Sequence, residues 1–262
     1  MIVQDVLSFA SGSLVGFVLG LVGGGGSVLS IPLLVYLVGV QSPHIAIGTS
    51  SVAVALSALS SLFGHARAGN VRWPCAIVFT VSGIVGAALG SSIGKHVDGQ
   101  RLLVLFGALM IAIAALMLRR RPDGGKKFVP LSATSAARLM PRLVAYGVGA
   151  GVLSGFFGIG GGFLIVPGLI AAADLPLLLA VGSSLVSVTA FGATTAVSYA
   201  LSGLIDWQLV ATFVAGGVIG SRFGGRAAAR LATSKQLLSQ VFAGIVATTG
   251  TYVVVRGLMN IL

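Results

Sequence analysis

Apolar residues run through this chain in long blocks, and the polar positions gather in the gaps between them. The blocks fall near 4–22, 27–40, 45–63, 73–94 and 101–118, and again near 144–158, 162–173, 178–201, 207–222 and 237–255. A helix rises about 1.5 Å per residue, so crossing the roughly 30 Å hydrocarbon core of a bilayer takes about 20 apolar residues. Most blocks approach that length and predict spanning helices, whereas 27–40, 144–158 and 162–173 fall short and predict broken or re-entrant pieces. Glycines mark the breaks, as GGGGS at 23–27 and GIGGG at 158–162. The pattern predicts an all-α polytopic membrane protein.

The second set of blocks repeats the first. Gly20 to Leu34 reads GLVGGGGSVLSIPLL and Gly155 to Leu169 reads GFFGIGGGFLIVPGL, identical at seven of fifteen positions for an offset of 135. At an offset of 134, Ala46, Gly48, Ser50, Val52 and Val54 recur as Ala180, Gly182, Ser184, Val186 and Val188, with Thr49 facing Ser183. Gly69, Trp73, Gly83, Gly86 and Gly90 keep that register as Gly203, Trp207, Gly217, Gly220 and Gly224. One unit has been duplicated, giving a membrane repeat over 1–118, a basic cytoplasmic linker over 119–142 and a second repeat over 143–262. Each repeat is expected to hold a glycine-broken helix pair plus three spanning helices. Five segments is an odd number, so the copies are expected to be inverted.

Composition narrows the class further. With 56% hydrophobic residues, 8% charged residues and a mean hydropathy of +1.06, the chain cannot present a water-compatible surface as a soluble domain. Its net charge of +11 would suggest nucleic acid in a soluble protein. Here the basic residues sit between apolar blocks, as topology signals do, so nucleic acid is not an expected partner and lipid is. Arg67 and Arg72, the seven Lys and Arg of 119–142, and Arg222, Arg226, Arg230 and Lys235 fall on one side in the inverted arrangement, which makes 13 of 16. Lys95, Arg101 and Arg256 fall opposite. Positive charge favours the cytoplasm, so both termini are expected outside an inner, cytoplasmic membrane. The N-terminus carries no Lys or Arg before its apolar block, so that block is expected to be retained. Cys75 is alone and reads as a packing residue.

The breaks carry the candidate chemistry. A helix that begins inside the membrane presents unpaired backbone N–H groups and about half a positive charge, and glycine lets a ligand approach that backbone. Gly24, Gly25, Gly26 and Ser27 fit this role in the first repeat, and Gly160, Gly161 and Gly162 in the second. Thr49, Ser50 and Ser51 after Gly48, with Ser183 and Ser184 after Gly182, are candidates to add hydroxyl donors to the same cavity. Each feature also has a plain structural reading. Membrane glycines often serve close helix packing, which suits Gly83, Gly86, Gly90, Gly217, Gly220 and Gly224 better than ligand contact. Ser and Thr often bond back to their own helix. His65 and Arg67 read as loop residues, and Trp73 and Trp207 as interfacial anchors. Broken helices facing each other across a repeat interface are how secondary transporters build a substrate site near the midplane. The expected partner is a small anionic substrate, with no cofactor or metal, and a homo-oligomer remains open.

The run GxxGGGGSxLxxPLL followed by AxGTSS, repeated as GxxGxGGGxLxxPxL and AxGSS, resembles the sulfite exporter TauE/SafE family of membrane permeases along essentially the whole chain. That resemblance implies transport of sulfite or related organosulfonates across the bacterial inner membrane. The second half departs from the first at Ile159 and Gly162, where Gly24 and Ser27 stand, so an asymmetric site is expected. Three rivals remain: an anion-selective channel, a membrane enzyme, and a structural assembly factor. His44, His65 and His96 lie in different loops without carboxylate partners, which disfavours the enzyme.

Overall fold

The computed structural model describes residues 2–22, 24–119, 133–230 and 235–261. Among these residues there are ten helices and no strands. Helix α1 spans Ile2–Val22. The short α2 changes its winding along its length, from a 3-10 turn at Gly24–Leu29 through an α turn at Ser30–Pro32 to a π turn at Leu33–Leu37. Then follow α3 (Pro43–Arg67), α4 (Trp73–Gly94) and α5 (Gly99–Arg119), and in the second half α6 (Ala133–Phe157), α7 (Gly162–Ala173), α8 (Leu177–Ala200), α9 (Trp207–Arg230) and α10 (Lys235–Ile261).

Local chemistry sets several boundaries. Pro lies in the first turn of α3 and of α4, where its missing N–H costs nothing. The Asp98 carboxylate accepts from the amides of Gln100 and Arg101 at the start of α5, and Asp206 accepts from Gln208 and Leu209 at the start of α9. The apolar block at 144–158 proves to be the end of a full 25-residue helix, because α6 continues N-terminally through Arg142, Pro141 and Arg138. Its first turns occupy residues of the expected linker; 120–132 lie outside the described residues.

Among the described residues, six helices are long and apolar enough to cross a membrane, within α1, α3, α4, α5, α6 and α8. The outer surface agrees with lipid. On α4, Ile77, Val81, Val85, Leu89 and Ile93 recur every fourth residue and are each more than half exposed. Buried polar residues are small hydroxyls, among them Ser27, Thr49, Ser154, Ser183 and Thr195. Such an inside-out distribution belongs to a multi-pass membrane protein.

Glycine fixes the tightest helix pairs, and each pair joins the two halves. α1 runs parallel to α9, with Gly12, Gly16 and Gly20 facing the carbonyls of Phe213, Gly217 and Ser221 so closely that any side chain would overlap them. α6 runs parallel to α4 in the matching register, Gly147, Gly151 and Gly155 facing Phe79, Gly83 and Ala87. The glycines expected to serve packing do so: Gly86 and Gly90 press on Val148 and Val152, and Gly220 and Gly224 on Ser13 and Phe17. α3 crosses α8 in the opposite direction, Gly48 against Tyr199 at one end and Gly192 against Ala55 further along. α5 and α10 are likewise antiparallel, with Gly257 on Val104 and Gly250 on Gly107. Exchanging the halves therefore reproduces the whole set of contacts.

Candidate functional site

The glycine breaks come together halfway along the spanning helices. Gly158, Gly160 and Gly161 hold φ of +66°, +64° and +69°, a left-handed conformation that glycine adopts without strain. Gly160 rests between Val54 and Val188, at 3.0 and 3.2 Å from where a Cβ would sit, and these valines lie midway along α3 and α8. The turn Gly24–Leu29 packs against α7, so both breaks occupy one central region. Gly26 is pressed onto the backbone of α1 at Leu19 and Val15, and Ser27 is fully buried.

Gly161 caps α7 with no side-chain hydrogen bond, and its carbonyl accepts the amides of Leu164 and Ile165 at 2.8 and 2.9 Å. The amides of Gly162 and Phe163 precede the first acceptor that the helix can offer them. Beside them lies a residue that sequence reasoning missed. The Ser154 hydroxyl is fully buried, has no hydrogen-bond partner, and sits 2.9 Å from where a Cβ on Gly161 would be. An unpaired buried hydroxyl costs about 1–3 kcal/mol, so the Ser154 Oγ is a hydrogen-bonding group free for a water or a ligand. Its counterpart in the first repeat is Leu19, so the internal match hides it. The one available signal was a hydroxyl immediately before the GFFGIGGG run.

The predicted hydroxyls of α3 and α8 have partners within the protein. The single proton of the Ser51 hydroxyl is shared between the carbonyls of Ile47 and Gly158, at 2.7 and 2.9 Å, and so ties the second break to α3. Ser50 and Ser184 bond back to Ile47 and Val181, at 3.0 and 2.8 Å, in equivalent positions. Thr49 accepts the amide of Asp206 at 3.1 Å, and Ser183 that of Arg72 at 2.8 Å. Gly48 and Gly182 press against the carbonyls of Leu204 and Asn70 in the same loops. These four residues anchor the turn before α9 and the turn before α4. Among the described residues no cluster of His, Cys, Asp and Glu could hold a metal ion.

A family model described as "Sulfite exporter TauE/SafE" matches residues 8–253. A "Probable membrane transporter protein" of Xylella fastidiosa (strain Temecula1 / ATCC 700964) is 47% identical over 253 residues, covering 96% of this chain and 95% of that one. The "Probable membrane transporter protein YdhB" of Bacillus subtilis (strain 168) is 28% identical over 219 residues, 81% of this chain and 86% of its own. No solved structure gives a significant match.

Proposed function

The chain belongs to the sulfite exporter TauE/SafE family and is a membrane transporter, and on that premise we propose that it carries a small anion, sulfite or an organosulfonate, through a site between its two glycine breaks. The observation that carries this reading is the start of α7. Two backbone amides without intrahelical acceptors, the positive end of a helix dipole and the orphan hydroxyl of Ser154 converge at mid-depth beside the first break. Donors without a fixed cation suit an oxyanion, which accepts several hydrogen bonds at once. The contact set is Gly160, Gly161, Gly162 and Ser154 on one side, with Gly24, Gly25, Gly26 and Ser27 opposite. Ser51 holds the geometry, while Gly48, Thr49, Ser50, Gly182, Ser183 and Ser184 act behind it. The family description favours sulfite among the candidates.

Inverted topology follows the same reading. The antiparallel crossings of α3 with α8 and of α5 with α10 support a two-fold axis perpendicular to the helices, hence lying in the plane of the bilayer. The charge bias supports a cytoplasmic central linker in an inner membrane. The repeat pattern suggests one repeat rocking against the other, but the glycine packing of α1 on α9 and of α4 on α6 supports moving bodies that each draw on both halves. Alternating access instead rocks α1 and α9 with α2 against α4 and α6 with α7, the crossing of α3 and α8 serving as the seam. Purified protein in liposomes tests the reading: uptake of sulfite or sulfoacetate should saturate and should be driven by counterflow. A non-saturating current would favour an anion channel.

A further inference from the structure

On the face where α3 begins and α4 and α8 end, three side chains from three helices meet away from the central break. Tyr199 on α8 is fully buried, yet its hydroxyl has no hydrogen-bond partner. The His44 ring on α3 lies 6.5 Å from the Tyr199 ring, and its Nδ1 is also buried without a partner. Lys95, at the end of α4, holds its ammonium 6.0 Å from the centre of the Tyr199 ring. It donates to the Ser198 carbonyl at 3.1 Å and to the Ser202 hydroxyl at 3.0 Å, both neutral oxygens, and an ammonium has a third proton to give. Gly48 packs on Tyr199, and Thr195 lies one turn deeper on α8 with another buried, unpartnered hydroxyl. Unpaired polar atoms are costly in a low-dielectric interior, and three of them in succession along the α3–α8 seam lead from Lys95 towards the central break.

We infer that Lys95, Tyr199 and His44 form a second anion site at one mouth of the protein, which takes the same small oxyanion or sulfonate before it reaches, or after it leaves, the central break. The inference rests on the anion-permease reading and adds a location to it. Lys95 supplies the charge that concentrates anions at the mouth. The Tyr199 hydroxyl and an N–H of His44 supply directed hydrogen bonds once the anion has shed water. The seam is asymmetric, because the repeat partners of His44 and Lys95 are Leu178 and Ala229, neither of which can bind an anion.

Charge-selective thiol labelling tests this site without requiring transport. In a Cys75→Ser background, Tyr199→Cys should react at least about fivefold faster with a methanethiosulfonate carrying a sulfonate than with one carrying a trimethylammonium group, each normalised to a free thiol in solution. Adding Lys95→Gln should abolish that preference and Lys95→Arg should keep it, and raised salt should reduce it. If Tyr199→Cys does not fold, His44→Cys reads the same site. A thiol at a folded 199 or 44 that neither reagent modifies, or one that shows no anion preference, overturns the second site. In liposomes Lys95→Gln should raise the KM for sulfite about fivefold with little change in maximal rate. An unchanged KM in a transporting variant also overturns the second site, whereas labelling as predicted with no transport by wild type refutes the permease reading and leaves this site standing.

Discussion

At the scale of single residues, hydroxyls that look alike in sequence do different work. Ser154 and Thr49 are both buried, but one has no partner and the other accepts a loop amide. Ser154→Ala should therefore leave thermal stability unchanged or slightly raised, while raising the KM for sulfite about tenfold, since a hydrogen bond to a charged group contributes roughly 1.5–3 kcal/mol. Thr49→Val should do the reverse, lowering stability by about 1–3 kcal/mol with KM unchanged. Thermal unfolding in detergent and liposome uptake, measured on both variants, separate the two roles. Sequence revealed that hydroxyl clusters follow Gly48 and Gly182 but not where they point, because Thr49 and Ser183 meet turns about 110 to 160 residues away along the chain. Ser154 was hard to single out for a different reason: it stands alone before the GFFGIGGG run, without a counterpart in the other repeat.

At the scale of helices, most of the architecture was legible because membrane burial imposes length on every span. Misreadings came where polar residues enter a helix. Arg138, Pro141 and Arg142 hid the first half of α6, although a helix end that leaves the hydrocarbon tolerates them. Glycine spacing was read correctly as packing, but not which helices it joins, since α1–α9 and α4–α6 are distant in sequence. Those contacts make a definite claim. Gly16→Ala and Gly151→Ala, which place a methyl group on a facing carbonyl, should each destabilise the fold by about 1–3 kcal/mol, whereas Gly64→Ala, with open space around it inside α3, should be neutral or stabilise by up to about 1 kcal/mol. Thermal unfolding of the three purified variants checks it.

At the scale of the molecule, duplication yields two interlocked bodies, each built from both halves, with antiparallel α3 and α8 between them. A cross-link at that seam should stop the cycle. A Cβ on Gly192 would lie 3.1 Å from the Cβ of Ala55, close to disulfide range, so Ala55→Cys with Gly192→Cys in a Cys75→Ser background should lose transport on oxidation and regain it on reduction. The repeat itself was plain in sequence, since glycine and proline positions are dictated by backbone geometry and survive divergence of their neighbours. The pairing of α1 with α9 and of α4 with α6 was not, because it depends on contacts that no single repeat contains. The central claim, that a small anion is bound at the meeting of the two breaks and carried, is tested most directly by sulfite counterflow into liposomes bearing wild-type protein or Ser154→Ala. The expected result is saturable, counterflow-driven uptake of sulfite or sulfoacetate whose KM rises in the variant; wild-type liposomes that exchange none of these anions, or a variant with the same KM, would contradict it.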